Sequence, residues 1–146
     1  MEVPVSDAQT IDTAATQRVA DPGLIQYTHI IYALHALAVL IGVFGFATIV
    51  GNFVFGLPSI VAVIMNYIRR HEARGTWLES HFSWQIRTFW IAFAIIVAAA
   101  MMSLPLLLFF GLGILTYHIA AGLAGIWVVY RVAKGWLNLR DDKPVA

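Results

Sequence analysis

Five histidines carry most of the chemistry open to this chain, which has no cysteine and therefore no thiolate zinc site, iron–sulfur cluster, disulfide or cysteine nucleophile. His35 and His118 each lie in a long stretch without charged residues. Ionisable groups in such surroundings are costly, so each invites a functional reading. One is that neutral imidazoles at these two positions form a pair of axial haem ligands. The other is that each ring bonds a hydroxyl, an amide or a backbone carbonyl across a helix interface, with Thr28, Tyr32, Thr48, Asn66, Thr116 and Tyr117 as the available partners. The second is preferred, because the sequence carries no haem attachment motif. His29 lies nearer the start of the same stretch.

His71 and His81 stand in the polar centre of the chain, beside Glu72 and Glu79. A metal between them is one reading, but His71-Glu72-Ala73-Arg74-Gly75 lacks the second histidine that a zinc-protease helix needs at the fourth position. A capped helix accounts for the same residues without a metal. Ser80 next to His81 does not make a hydrolase, since there is neither a nucleophile elbow nor an orienting carboxylate. No catalytic residue and no cofactor is expected.

The elements that position these groups follow from where charge is missing. No Asp, Glu, Lys or Arg occurs between Asp21 and Arg69, nor between Arg87 and Arg131. Each stretch exceeds forty residues, about twice the ~20 that cross a hydrocarbon core as a helix. With 60% hydrophobic and 12% charged residues, the chain does not suit a water-soluble globule. The expected fold is all-α: a polytopic integral membrane protein of four transmembrane helices, arranged as two hairpins joined by an interfacial amphipathic helix. A net charge of +1 gives no reason to expect nucleic acid as a partner.

Residues 1–21 read as a polar tail without the basic start and apolar core of a secretory signal. Asp21-Pro22 reads as a helix start, a carboxylate N-cap followed by proline at the first helical position. Spans are expected at about 24–48, 53–68, 88–108 and 113–130, within a membrane domain of residues 22–139, followed by a short polar tail, 140–146. Turns are expected at Gly51-Asn52, with Pro58 starting or kinking the second span, and near Ser103-Leu104-Pro105 or Gly111-Leu112-Gly113. In the linker, 69–87, Thr76-Trp77-Leu78-Glu79 fits a capping box. Leu78, Phe82, Ile86 and Phe89 then put apolar side chains on one face of an expected helix against the headgroups. Gly135-Trp136 is expected to lie beyond the last span.

All nine Lys and Arg fall in the amino tail, the central linker and the carboxyl tail, and neither hairpin turn carries one. The positive-inside rule then places both ends and the linker in the cytoplasm. Arg69, Arg70, Arg74 and Arg87, with Trp77, Phe82, Trp84 and Trp90, form a basic aromatic belt, and Arg131 with Trp136 repeats it at the end of the chain. The belt suits anchoring to anionic lipid headgroups, at about 1 kcal/mol per basic residue, or docking of a protein partner. Ala94, Ala98 and Ala99, and Ala121, Gly122, Ala124 and Gly125, permit close helix approach, within the bundle or between copies of the chain. A faint echo joins Tyr67, Arg69, Gly75 and Trp77 to Tyr130, Arg131, Gly135 and Trp136; a repeated hairpin is one reading, and shared anchoring of two segments that leave the membrane on the same side is preferred.

The block Asn66-Tyr67-Ile68-Arg69-Arg70, then Gly75-Thr76-Trp77-Leu78-Glu79-Ser80-His81-Phe82 and Trp84-Gln85-Ile86-Arg87-Thr88-Phe89-Trp90, resembles a family of small bacterial inner-membrane proteins. These are distantly similar to the membrane subunit of the chloroplast inner-envelope import channel, the Tic-twenty-like group. Trp127, Tyr130-Arg131 and Gly135-Trp136-Leu137 extend the resemblance. It implies a four-helix membrane fold in a bacterial inner membrane, and no activity that can be assigned to particular residues. The function expected is that of a non-enzymatic scaffold or accessory subunit. The alternatives are a component of a transport or protein-translocation channel and, less favoured, a haem- or metal-binding membrane protein.

Overall fold

In the computed structural model, which describes residues 18–44, 49–109 and 111–146, the chain forms four helices. They are α1 (Pro22–Phe44), α2 (Ile49–Ala73), α3 (Leu78–Leu107) and α4 (Leu112–Arg140). No strand occurs among the described residues. Three helical segments are long and apolar enough to cross a membrane: Pro22–Gly42, Leu78–Leu107 and Leu112–Arg140. Residues 1–17 of the expected tail, and Thr48, lie outside the described residues.

Local chemistry sets most of the ends. Asp21 caps α1, its carboxylate accepting from the Gly23 amide at 3.2 Å and its carbonyl from Leu24 and Ile25. Between α2 and α3, Gly75 takes a left-handed φ of 76°, where a side chain would be strained. The Thr76 hydroxyl accepts from the Leu78 amide, and the Glu79 carboxylate accepts from the Gly75 amide instead of that of Thr76. The capping box is thus present in shifted form. Gly111, with φ 73°, leads from the turn after α3 into α4.

Three boundaries differ from expectation. α2 is already helical at Ile49, so Gly51-Asn52 is not a turn, and Pro58 lies inside the helix, where one backbone donor is missing. The linker is a short turn: α2 persists through Ala73, and α3 runs unbroken from Leu78, so no separate interfacial helix forms. The apolar face at Leu78 and Phe82 exists, but it packs in the core of the bundle. Finally, α4 passes through Gly135-Trp136 to Arg140, while the first copy of the echo breaks at Gly75. The echo therefore does not reflect a structural repeat.

Packing is antiparallel, with α1 against α2 and α3 against α4, and α4 also lies along α1. The buried core, including Leu24, Ile31, Tyr32, Ala62, Leu78, Phe82, Val132 and Leu139, sits at one end of the bundle. All the described basic residues gather at this end, called the basic end below. At ~1.5 Å per residue, α3 and α4 are each ~45 Å long, about 15 Å more than a hydrocarbon core. The surplus is the ten or so residues of each helix at the basic end. Beyond it the surface is apolar, with Met101, Met102, Leu104, Leu123 and Ile126 all largely exposed. Such a surface is unfavourable in water and matches lipid.

Gly113 packs against the backbone of α3, where a Cβ would collide with the Ser103 carbonyl oxygen and the Leu107 amide. Gly113→Ala is expected to destabilise the bundle by about 1–3 kcal/mol, despite the helix propensity that alanine gains. Gly122 meets nothing within 4 Å, so Gly122→Ala should be neutral or mildly stabilising. Detergent-unfolding curves of the two variants check the contrast. Of the small-residue sets, Ala99 and Ala124 are buried, whereas Ala94, Ala98 and Gly122 face outward.

Candidate functional site

The polar residues converge at the basic end, and helical spacing brings them there. Thr28, Tyr32 and His35 follow at four and three residues on α1, and His81, Gln85 and Thr88 do the same on α3. Both stripes are buried. The Tyr32 hydroxyl lies 3.0 Å from His81 Nδ1, and His81 Nε2 lies 2.8 Å from the Lys143 carbonyl. A carbonyl can only accept, so Nε2 carries the proton and Nδ1 accepts from the tyrosine hydroxyl. His81 therefore has no lone pair left for a metal in this arrangement. The Tyr32 ring stacks on Trp136 at 6.5 Å, and the His81 ring meets the edges of both Tyr32 and Trp77. Trp136 Nε1 donates to His29 Nδ1 at 3.0 Å, tying the end of α4 to the start of α1.

Both tails are drawn to the same place. The Arg18 amide donates to the Gly75 carbonyl, and Ala20 is buried. Beyond α4, Asp142 takes φ 53° and turns the chain back. The Val145 amide then donates to Ser80 Oγ, the Val145 side chain is buried, and Lys134 Nζ donates to the Ala146 carbonyl. The hinge between α2 and α3 is thus covered from both sides by chain that sequence reasoning treats as free tail.

One step further into the bundle lies Arg131. Its guanidinium stacks 3.4 Å from the centroid of the Trp84 ring and 5.0 Å from that of Trp127. Its Nε donates to Thr88 Oγ1 at 2.6 Å, while Trp84 Nε1 donates to the Arg131 carbonyl at 3.1 Å. Two indoles, the Thr88 hydroxyl and the Trp84 carbonyl hold the charge, with no carboxylate paired to it among the described residues. At a membrane boundary such cation–π contacts contribute about 0.5–2 kcal/mol each.

Of the expected belt, Trp77, Phe82 and Trp84 are core or near-core residues, whereas Arg70, Arg74, Arg87 and Trp90 are exposed. Trp90 Nε1 donates to the Tyr67 hydroxyl, bridging α3 to α2, and Arg69 lies over the Tyr27 ring at 4.8 Å. Arg69 also pairs with Glu72. That hydrogen bond holds the Glu72 carboxyl below the ordinary carboxylate range.

The histidine pairs are not brought together. His35 shares a small cavity with Arg131 and Val132. His118 stands fourteen residues earlier on α4 than Val132, ~21 Å along the axis, and its Nδ1 bonds the Ile114 carbonyl. Two ligands of one haem iron cannot be that far apart. His71 is exposed at the end of α2, while His81 is committed to Tyr32 and Lys143. Among the described residues no group of three or more His, Cys, Asp or Glu could hold a metal ion. The expected partners also differ. His35 faces Ser59 at 3.3 Å, whereas Thr28, Asn66 and Thr116 bond carbonyls one turn back in their own helices. Ser59 and His29 are partners that the sequence does not disclose. The buried stripes at spacings of four and three were the signal available.

The folded chain thus has the form of a helical bundle with membrane-compatible surfaces and a polar, aromatic end. Comparison with protein-family models, curated proteins and solved structures gave no match for it.

Proposed function

We propose that this is a four-crossing integral protein of a bacterial inner membrane, with both ends in the cytoplasm, that serves as a non-enzymatic scaffold or accessory subunit. The observation carrying the reading is the basic end itself. Arg69, Arg70, Arg74 and Arg87 surround a hinge to which both tails are fastened, while the polar side chains beneath are largely occupied with one another. A cationic face edged by the exposed Tyr67 and Trp90 suits recognition of anionic headgroups or an acidic protein surface better than turnover.

Chain direction supports the reading of four crossings. The starts of α1 and α3 and the ends of α2 and α4 meet at the basic end, through Arg18–Gly75, Tyr32–His81 and His29–Trp136. If α1 enters a bilayer from that end, α2 has to return through it. Replacing Arg69, Arg70 and Arg74 together with glutamine should abolish co-purification of the partner from mildly extracted membranes, with the bundle still folded. Unchanged co-purification would exclude this face as the docking surface.

A further inference from the structure

Arg87 and Arg131 bound the second charge-free stretch of the sequence, and the fold sets them side by side. Arg131 Nε donates to Thr88 Oγ1, on the residue next to Arg87, and Arg87 is near enough for its charge to act on Arg131. Both lie ten residues from the basic end of their helices, where the surplus beyond a hydrocarbon core begins. The first charges met on leaving the apolar region are therefore two neighbouring guanidiniums. Lys134 adds a third cation, its Nζ 5.2 Å from the centroid of the Trp84 ring on which Arg131 is stacked.

Among the described residues none of the three is paired with an Asp or Glu. Arg131 spends donors on Thr88 and the Trp84 carbonyl, and Lys134 spends one on the Ala146 carbonyl. Arg87 is exposed and makes no hydrogen bond with a described residue. A guanidinium has five N–H donors and an ammonium three, so most are left over. Like charges held together at the edge of a low-dielectric region repel unless an anion lies among them. The anion that a bilayer supplies at this depth is a lipid phosphate.

We propose that Arg87 and Arg131, flanked by Lys134, bind the phosphate of one anionic phospholipid in the leaflet at the basic end. The planar forks of the two arginines suit paired N–H···O bonds to phosphate oxygens, and the Trp84 ring keeps that of Arg131 in place. A choline headgroup would bring a fourth positive charge to the cluster, whereas a glycerol headgroup brings none, so the site selects net-negative lipids. The site rests on the membrane reading but uses none of Arg69, Arg70 and Arg74. Loss of lipid selectivity and unchanged co-purification of a partner are thus separate results.

The test is native mass spectrometry of the full chain in detergent micelles, titrated with dioleoyl phosphatidylglycerol or dioleoyl phosphatidylcholine. The first phosphatidylglycerol should bind at least about tenfold more tightly than phosphatidylcholine. Arg87→Gln, which removes a side chain that no described residue contacts by hydrogen bond, should fold and lose that preference. Arg70→Gln and Arg74→Gln, equally exposed but on the other side of the hinge, should keep it. Equal affinity for the two lipids would overturn the proposal, as would a preference that survives Arg87→Gln. Displacement of the lipid by an equal concentration of inorganic phosphate would overturn it too, by making this a site for soluble phosphate. The comparison of the two lipids on the wild-type chain decides even if a variant does not fold.

Discussion

Gly135→Val is expected to cost the bundle on the order of 3 kcal/mol or more, making it among the most damaging single substitutions in the chain. Any Cβ at Gly135 would run into the hydroxyl and ring of Tyr32, which is 1% exposed. A clash with the tip of a flexible side chain is cheaply relieved, but Tyr32 is not free to swing. Its ring stacks on Trp136, its hydroxyl is bonded to His81, and Ile31 beside it is buried. Moving the ring means giving up those contacts, and moving α4 means loosening Trp136 from His29. Alanine should show the same sign at smaller size, because its gain of up to ~1 kcal/mol in helix propensity opposes the overlap. Unfolding in a graded denaturing detergent, followed by tryptophan fluorescence, measures the loss. A Gly135→Val protein as stable as wild type would show that Tyr32 does not occupy this groove.

That glycine also shows what the sequence discloses and what it withholds. Gly135 follows a basic residue near the end of an apolar run, where glycine commonly stops a helix, and nothing local distinguishes the two cases. Gly75 and Gly111 obey the local rule, and both are turns. Gly135 breaks it because the ring it accommodates lies 103 residues earlier in the chain. The same division runs through the molecule. Charge-free stretches, Asp21-Pro22 and Thr76 with Glu79 act over a few residues, so the all-helical fold and several helix ends are legible. Partners of the histidines are not, because Ser59, Tyr32, Trp136 and the Lys143 carbonyl reach them from other helices or from the tail. The face formed by Leu78 and Phe82 was legible as apolar, but periodicity does not say whether such a face meets lipid headgroups or other helices. Here His81, buried on the same helix, needs a polar partner, which the bundle supplies in Tyr32.

The pair Tyr32 and His81 gives the second large effect and the sharpest test of the polar core. Tyr32→Phe removes the hydroxyl that donates to His81 Nδ1, leaving a buried acceptor without a partner, at about 1–3 kcal/mol. His81→Phe keeps a ring between Tyr32 and Trp77 but strands two groups, the tyrosine hydroxyl and the Lys143 carbonyl, so the larger loss is expected there. The double variant should be less damaging than the sum, since with both polar atoms gone neither strands the other, and a coupling of about 0.5–3 kcal/mol is expected. The tail supplies an independent reading. With His81 replaced, the Lys143 carbonyl loses its partner while its amide stays bonded to Asn138, and the Val145 amide that donates to Ser80 should exchange faster with solvent. Tyr32→Phe should leave that exchange nearly unchanged, because His81 Nε2 still reaches the Lys143 carbonyl. Strictly additive losses from the two substitutions would refute the bond, and equal exchange rates at Val145 in both variants would refute the latch.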